Sequence, residues 1–205
     1  MSMKLTNRQQ SILVGTVLGD GYLQKTGSKN ARLRLEHCEE QRDYLNWKVE
    51  AFSRLFQGKP KHLVRTHPKS EKKYGYWRHQ SNASPILGVW RRYFYNKDGI
   101  KTIPSDLSIY LTPLALSVWY MDDGYYDRRD RSTQLYLGRV TKRDALNAQR
   151  SISEAFGIDA VIKNKKQKGF VLHFSRKAQR DLHAVIRPHL LQLFDYKRFI
   201  SKSSS

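Results

Sequence analysis

Ile12-Leu13-Val14-Gly15-Thr16-Val17-Leu18-Gly19-Asp20-Gly21-Tyr22 and Leu116-Ser117-Val118-Trp119-Tyr120-Met121-Asp122-Asp123-Gly124-Tyr125 end alike, with Asp20 and Asp123 standing 103 residues apart. Each is an apolar run closing in Asp-Gly-Tyr. A carboxylate in the last helical turn faces the negative end of the helix macrodipole, at a cost of about 0.3–1 kcal/mol. A local rule broken twice in the same way marks a working site. Gly21 and Gly124 fit left-handed residues that end a helix, which would fix each Asp at a helix tip.

The same element opens with similar signals in each half. Thr6-Asn7-Arg8-Gln9 reads as a capping box, and Thr112-Pro113 as an N-cap followed by proline at the first helical position. After the first run, strands are expected at 22–24 and at the alternating Arg32-Leu33-Arg34-Leu35-Glu36. A helix from about Glu39 to Phe56 carries Tyr44, Trp47, Ala51 and Leu55 on one face, with Gly58 beyond its end. Strands at 62–66 and 74–80 and a helix from Ser84-Pro85 to about Tyr95 follow. The second half gives a strand at 134–138, a helix from Thr141 closing at Gly157, a hairpin over 160–174 and a helix from Ser175. The chain thus divides into an N-terminal half, 1–96, a linker, 97–110, and a C-terminal half, 111–205.

The 205 residues include 38 Lys and Arg against 18 Asp and Glu, a net charge of +20. The excess is not a tail, since residues 1–105 carry +12 and residues 106–205 carry +8. Both halves are expected to meet a polyanion, with nucleic acid the first candidate. Twelve Tyr, eight Phe and four Trp supply a core and argue against a disordered basic protein. Cys38 is alone, so one chain holds no disulfide framework and no cysteine-based zinc site. No apolar stretch is long enough to span a bilayer or to serve as a secretion signal. A soluble, intracellular protein is expected, in a prokaryotic cytoplasm and nucleoid or an organelle matrix.

Gly15 and Gly19, four apart, let a second backbone approach one helix face, whereas Val118 and Asp122 hold those places in the second run. Two such helices packed side by side bring Asp20 and Asp123 together. Carboxylates that close repel, and one stays protonated unless a cation intervenes. With oxygen ligands and no neighbouring Cys or His set, Mg2+ is the expected ion, with Mn2+ or Ca2+ as substitutes in binding. A metal there activates water and neutralises charge at an in-line phosphoryl displacement, and two tips suggest two strands cut.

At this point the chain resembles the LAGLIDADG homing endonucleases. The nine-residue signature aligns with Leu13 to Gly21 and with Leu116 to Gly124. By that resemblance Asp20 and Asp123 are the metal-binding acids, and the backbone carbonyls of Gly19 and Asp122 help hold the metals. Asp122 also competes with its neighbour for the acid role, but the register of the motif favours Asp123. The stretch Lys101-Thr102-Ile103-Pro104, then Tyr110-Leu111-Thr112-Pro113, resembles the linker and second motif of single-chain, intron-encoded members, and Ile186-Arg187-Pro188 with Tyr196-Lys197 resembles their closing segment. There a lysine in each half lies beside the metals, which assigns Lys101 and Lys197.

The resemblance implies an α+β fold of two αββαββα halves related by a pseudo-twofold axis. Their strands form a saddle over the major groove, and the two motif helices form the interface. Alternation agrees, since Arg32 and Arg34 point to one face and Leu33 and Leu35 to the other. Candidate DNA contacts are Lys25, Lys29, Arg32, Arg34, Arg78, Arg128, Arg129, Arg131, Gln134, Tyr136, Lys163, Lys165 and Lys166, with Arg suited to guanine and Lys to phosphate. His37, His79 and His173 read as hydrogen-bonded strand residues. The expected activity is that of a monomeric, site-specific endonuclease of double-stranded DNA leaving short 3′ overhangs. The alternatives are an RNA maturase assisting group I intron splicing and a cleavage-inactive DNA-binding protein. An intein-borne form is not expected, given Met1 at the start and no splicing His-Asn at the end.

Overall fold

In a computed structural model, which describes residues 4–199, the order is α1 (Asn7–Leu18), β1 (Tyr22–Lys25), β2 (Ala31–Cys38), α2 (Arg42–Ala51), β3 (Lys61–Thr66), β4 (Lys73–Gln80) and α3 (Pro85–Phe94). It then repeats as α4 (Pro113–Asp123), β5 (Gly124–Asp127), β6 (Ser132–Gly138), α5 (Lys142–Phe156), β7 (Ala160–Asn164), β8 (Phe170–Phe174) and α6 (Arg176–Ile186). Each half has one antiparallel four-stranded sheet, ordered β1-β2-β4-β3 and β5-β6-β8-β7. The α+β expectation of αββαββα used twice is what the backbone adopts.

The caps behave as the sequence dictates. Thr6 accepts from the Gln9 amide at 3.2 Å while Gln9 Oε1 accepts from the Thr6 amide at 3.0 Å. Thr112 Oγ1 accepts from the Ala115 amide at 3.1 Å and donates to Ser11 Oγ at 2.8 Å, tying the starts of α1 and α4 together. Both motif helices are buried on every side, from Ser11 to Leu18 and from Ala115 to Met121, as expected of helices apolar all round.

α1 and α4 pack against each other through the glycines. A methyl group on Gly15 would strike the Ala115 carbonyl and lie 2.7 Å from Val118 Cβ, and one on Gly19 would lie 2.5 Å from Asp122 Cβ. The apparent mismatch between the two motifs is therefore a fit, because Val118 and Asp122 occupy the space that the missing side chains leave. Gly21 and Gly124 correct the sequence reading. Neither adopts a left-handed conformation, and Gly124 is extended at φ −75°, ψ 147°. They are small because the chain doubles back on its own helix: a side chain on Gly21 would meet the Thr16 carbonyl at 2.6 Å, and one on Gly124 would collide with Tyr120. Gly157, by contrast, ends α5 in the left-handed region at φ 66°.

α2 also differs from its reading. It is preceded by a 3-10 turn over Glu39–Gln41 and ends at Ala51, and the side chains it buries are Tyr44, Leu45 and Lys48. The inward stripe is rotated by about one residue from Tyr44, Trp47 and Ala51, which brings a lysine into the core. Residues 97–110 form a pinned strap. Ile103 donates its amide to Asp144 Oδ1 at 2.8 Å and accepts from Asn147 Nδ2 at 2.7 Å, so α5 of the second half holds it in place, with Leu107 fully buried beneath.

Candidate active site

Because α1 and α4 lie side by side, their C-terminal ends meet. Asp20 stands one residue beyond the Gly19 cap, and Asp123 is the last residue of α4. The last carbonyls of each helix lack intrahelical donors, and here a lysine supplies them, partly buried in the first half and buried in the second. Lys101 Nζ donates to the Val17 carbonyl at 3.0 Å and the Gly19 carbonyl at 2.8 Å. Lys197 Nζ donates to the Met121 carbonyl at 2.6 Å and the Asp122 carbonyl at 3.3 Å. Cations at both C-termini oppose the macrodipole and offset the placement of the acids. The four residues Asp20, Lys101, Asp123 and Lys197 thus form two matching pairs, and the Gly19 and Asp122 carbonyls lie beside the lysines.

The electrostatics follow from crowding. Burial first, then the charges of Asp20 and Asp122, push Asp123 up to about 8, against the opposing pull of Lys101 and Lys197. Asp20 is raised for the same reasons, burial and then Asp122, although its side chain remains 47 % exposed. Burial lowers the pKa values of Lys101 and Lys197, partly countered by Asp20, Asp122 and Asp123. Burial and mutual repulsion raise both acids even with Lys101 and Lys197 beside them, a cost that a hard cation bound at the carboxylates would relieve.

Two residues that sequence reasoning did not assign to the site are built into it. Lys48, fully buried on α2, donates to Asp122 Oδ1 at 2.9 Å and Oδ2 at 3.0 Å. His37 Nε2 lies 3.3 Å from Lys48 Nζ and His37 Nδ1 lies 3.1 Å from Gln41 Oε1. A neutral ring with its proton on Nδ1 satisfies both contacts, consistent with burial and Lys48 lowering its pKa to about 4. Asp20, His37 and Asp122 have ligand atoms within 4.8 Å of one another. The Asp122 carboxylate is nevertheless fully buried and bound to Lys48 and the Asp20 amide, and both ring nitrogens of His37 have partners. The exposed acid at this tip is Asp20. The signal for Lys48 was present in the sequence, a cation four residues after Tyr44 on the apolar side of a helix.

The sheets present the expected alternation. On β2, Arg32 and Arg34 are half-buried on the open face while Leu33 and Leu35 are sealed inside. Register places Gln24 beside Arg32 and Gln80 beside Arg34. Arg78 shares this face but is committed, since Glu36 binds both Arg78 and Arg65 at 2.6 Å. Lys25 and Lys29 flank the β1–β2 turn. On the second sheet Tyr125 pairs with Gln134 and Gln134 with His173, while Tyr136 follows on the same face. Gln134 is nearly covered at 9 % exposure, and Arg129 is engaged with Asp130 at 2.9 Å. Arg128, Arg131, Lys163, Lys165 and Lys166 are exposed, mostly in the turns at the strand ends.

Two copies of one αββαββα unit, joined by packed helices whose tips each bear an acid and a lysine, define a duplicated fold with one composite site. The chain belongs to the LAGLIDADG DNA endonuclease family, whose model matches residues 10–182. It is 27 % identical over 217 residues to a protein named RecA from Mycobacterium shimoidei, an alignment covering 98 % of this chain and 49 % of that protein. The chain spans about half the length of such curated relatives. It is 26 % identical over 210 residues to the DNA endonuclease I-ChuI of Chlamydomonas applanata, covering 95 % of this chain and 96 % of that one. Among solved structures, the homing endonuclease I-WcaI, bound to its DNA recognition sequence, superposes with a TM-score of 0.86 at 24 % identity, covering 95 % of this chain and 87 % of that one. No helix among the described residues is long and apolar enough to cross a membrane.

Proposed function

We propose that this protein is a site-specific endonuclease of double-stranded DNA that hydrolyses one phosphodiester in each strand and leaves short 3′ overhangs. The observation that carries the proposal is the meeting of two acid-bearing helix tips, each with a lysine on its last carbonyls, in a chain of net charge +20. Family membership and the I-ChuI and I-WcaI likenesses support the same reading.

Asp20 and Asp123 are the residues that hold divalent cations, Mg2+ in the first instance, with the Gly19 and Asp122 carbonyls as further oxygen donors. The donor set fits a hard cation, since burial and then the charges of Asp20 and Asp122 push Asp123 up to about 8, a penalty that a bound cation relieves. Bound there, the cation supplies charge neutralisation at the scissile phosphate and acidifies water. Lys101 and Lys197 lie behind the acids, with acidity raised by burial, and either polarise the attacking water or balance the charge of the pentacovalent phosphate. Arg32 and Arg34 on the open face, which make no side-chain hydrogen bond among the described residues, engage base edges or phosphates. Lys25, Lys29, Lys163, Lys165 and Lys166 hold the backbone.

The test is incubation of the protein and Mg2+ with a plasmid library of candidate insertion sites. Linear product at one sequence, lost on chelation and in Asp20→Asn, is the expected result. Cleavage that survives Asp20→Asn overturns the assignment, and tighter binding to intron RNA than to any DNA duplex overturns the activity itself.

A further inference from the structure

We propose that Lys48 and Asp122 are positioning residues for the Asp20 tip alone, and that the pair sets the rate at which one of the two DNA strands is cut. This rests on the endonuclease reading above.

The geometry is specific. Asp122 belongs to the second motif helix, yet its side chain turns to the first tip, where Oδ2 accepts the Asp20 amide at 3.1 Å. The absence of a side chain on Gly19 makes the approach possible, since Asp122 Cβ lies 2.5 Å from where a Cβ on Gly19 would sit. Lys48 comes from α2 of the first half and binds both oxygens of Asp122, and the two side chains are fully buried. His37 accepts the ammonium at 3.3 Å, so the lysine is oriented from a second side. The result is a chain from α2 through Lys48 and Asp122 to the backbone of Asp20. It fixes the residue whose carboxylate is half exposed, with His37 Nδ1 at 3.9 Å from Asp20 Oδ2, and Asp122 never needs to touch substrate.

The other tip has no counterpart. Gly19 holds the place in the first motif that Asp122 holds in the second, so among the described residues no carboxylate of α1 reaches back to the Asp123 backbone. α5, the counterpart of α2, buries Asp144, Ala145, Ala148, Ser151 and Ile152 and no cation. Asp123 is instead part of α4, whose own hydrogen bonds hold it: the Gly124 amide donates to the Tyr120 carbonyl. One acid lies within its helix; the other lies beyond its helix end, where the Gly21 amide returns to the Thr16 carbonyl at 2.6 Å and the acid's own amide goes to the buried ion pair. Loosening the pair therefore moves the backbone of one tip, whereas at the other it changes only the charge beside Asp123 and Lys197. A misplacement of a positioned group by about 1 Å is enough to slow a reaction by orders of magnitude.

Removing one member of a buried pair leaves an uncompensated charge, so the useful variants are double. Lys48→Met/Asp122→Leu removes both charges and the acceptor, whereas Lys48→Met/Asp122→Asn removes both charges and keeps an oxygen for the Asp20 amide. On a supercoiled target plasmid with strand-specific end labels, the Leu double variant is expected to accumulate nicked circle. The strand slowed, tenfold or more relative to the other, should be the one that Lys101→Met slows. The Asn double variant should regain at least half of the linear product. Equal slowing of both strands, or equal behaviour of the two double variants, overturns the proposal. Amide hydrogen exchange in the DNA-free protein decides independently of cleavage. The Leu variant should speed exchange at Asp20 at least tenfold relative to Gly124, and parallel changes at the two amides overturn the clamp. A wild-type protein that cuts neither strand counts against the endonuclease reading, and exchange still tests the clamp.

Discussion

At the first tip the helix is bare, with Gly15 and Gly19 offering backbone where the second offers Val118 and Asp122. At the second tip the acid is held by its own helix and its neighbour is spent on the partner half. The two tips still converge on one arrangement, an acid beyond or at a C-terminus with a lysine on the last carbonyls. Duplication supplies the symmetry of the chemistry, while packing requires asymmetry, because two identical glycine faces would leave a void and two identical bulky faces could not approach. The largest expected effect tests the symmetric part. Asp20→Asn and Asp123→Asn should each lower double-strand cleavage by about a thousandfold, roughly 4 kcal/mol of transition-state stabilisation. Full activity in either variant would break the equivalence of the tips.

Packing asymmetry predicts unequal responses to exchanged residues. Gly15→Val inserts a side chain where the Ala115 carbonyl and Val118 already lie, and should destabilise the fold by about 3 kcal/mol or more, read as the midpoint of denaturant unfolding. Val118→Gly only leaves a cavity and weakens the helix, and should cost about 2–3 kcal/mol. If Gly15→Val is the milder of the two, the helices do not pack as described.

Lys101→Met and Lys197→Met sharpen the comparison on the chemical side. Each removes one ammonium from one tip, so each should slow one strand by about a hundredfold, around 2.7 kcal/mol, and the strands should differ between the two variants. Both variants slowing the same strand would mean that the lysines serve a shared centre.

Much of this arrangement is legible in the chain before any coordinates. The motif helices announce themselves by caps and by apolar residues on every face, and the Arg32-Leu33-Arg34-Leu35 alternation sets the open and closed sides of the first sheet. Sequence patterns report what a residue does within its own element, which is why the fold and the positions of Asp20 and Asp123 at two helix tips can be read. Partners across elements are another matter. Lys48 falls outside the stripe of Tyr44, Trp47 and Ala51 expected for α2, and a single helix does not reveal which of two adjacent faces a distant Asp122 requires. Gly21 and Gly124 were read as left-handed because that is the commonest reason for glycine after a helix. Here the close return of the chain over Thr16 and Tyr120 is the reason, and that depends on where the next strand goes.

The acids should also differ in proton affinity. Asp123 rises from 3.8 to about 8 on folding, so between these values the folded state binds more protons than the unfolded chain, and stability falls as pH rises through that window. The buried His37 and His183, lowered to about 4, contribute the opposite slope only below 6.5. Between pH 6.5 and 8, in the absence of divalent cations, the wild-type protein should therefore lose about 1–2 kcal/mol relative to Asp123→Asn. Mg2+ should recover that loss in the wild-type protein alone. Parallel melting temperatures for the two proteins across this range would place Asp123 in water rather than in the crowded tip.

The smallest effects are expected on the sheets, where the two halves again differ. The first open face carries Arg32 and Arg34, whose guanidinium groups make no ion pair among the described residues, and Arg78 and Arg65 held by Glu36. The second is lined by Tyr125, Gln134, Tyr136 and His173, with its charges at the strand ends. Arg34→Ala should weaken DNA binding by about 1 kcal/mol and reduce the salt dependence by close to one counterion. Arg78→Ala should do less than half of this, because the arginine already has an anion. Tyr136→Ala should leave the salt dependence unchanged and alter only the preference among target sequences, since an uncharged ring on the open face can contact bases but cannot displace counterions. Fluorescence anisotropy titrations across salt concentrations distinguish the three. A salt slope reduced by Tyr136→Ala but not by Arg34→Ala would reverse the division of labour between the halves.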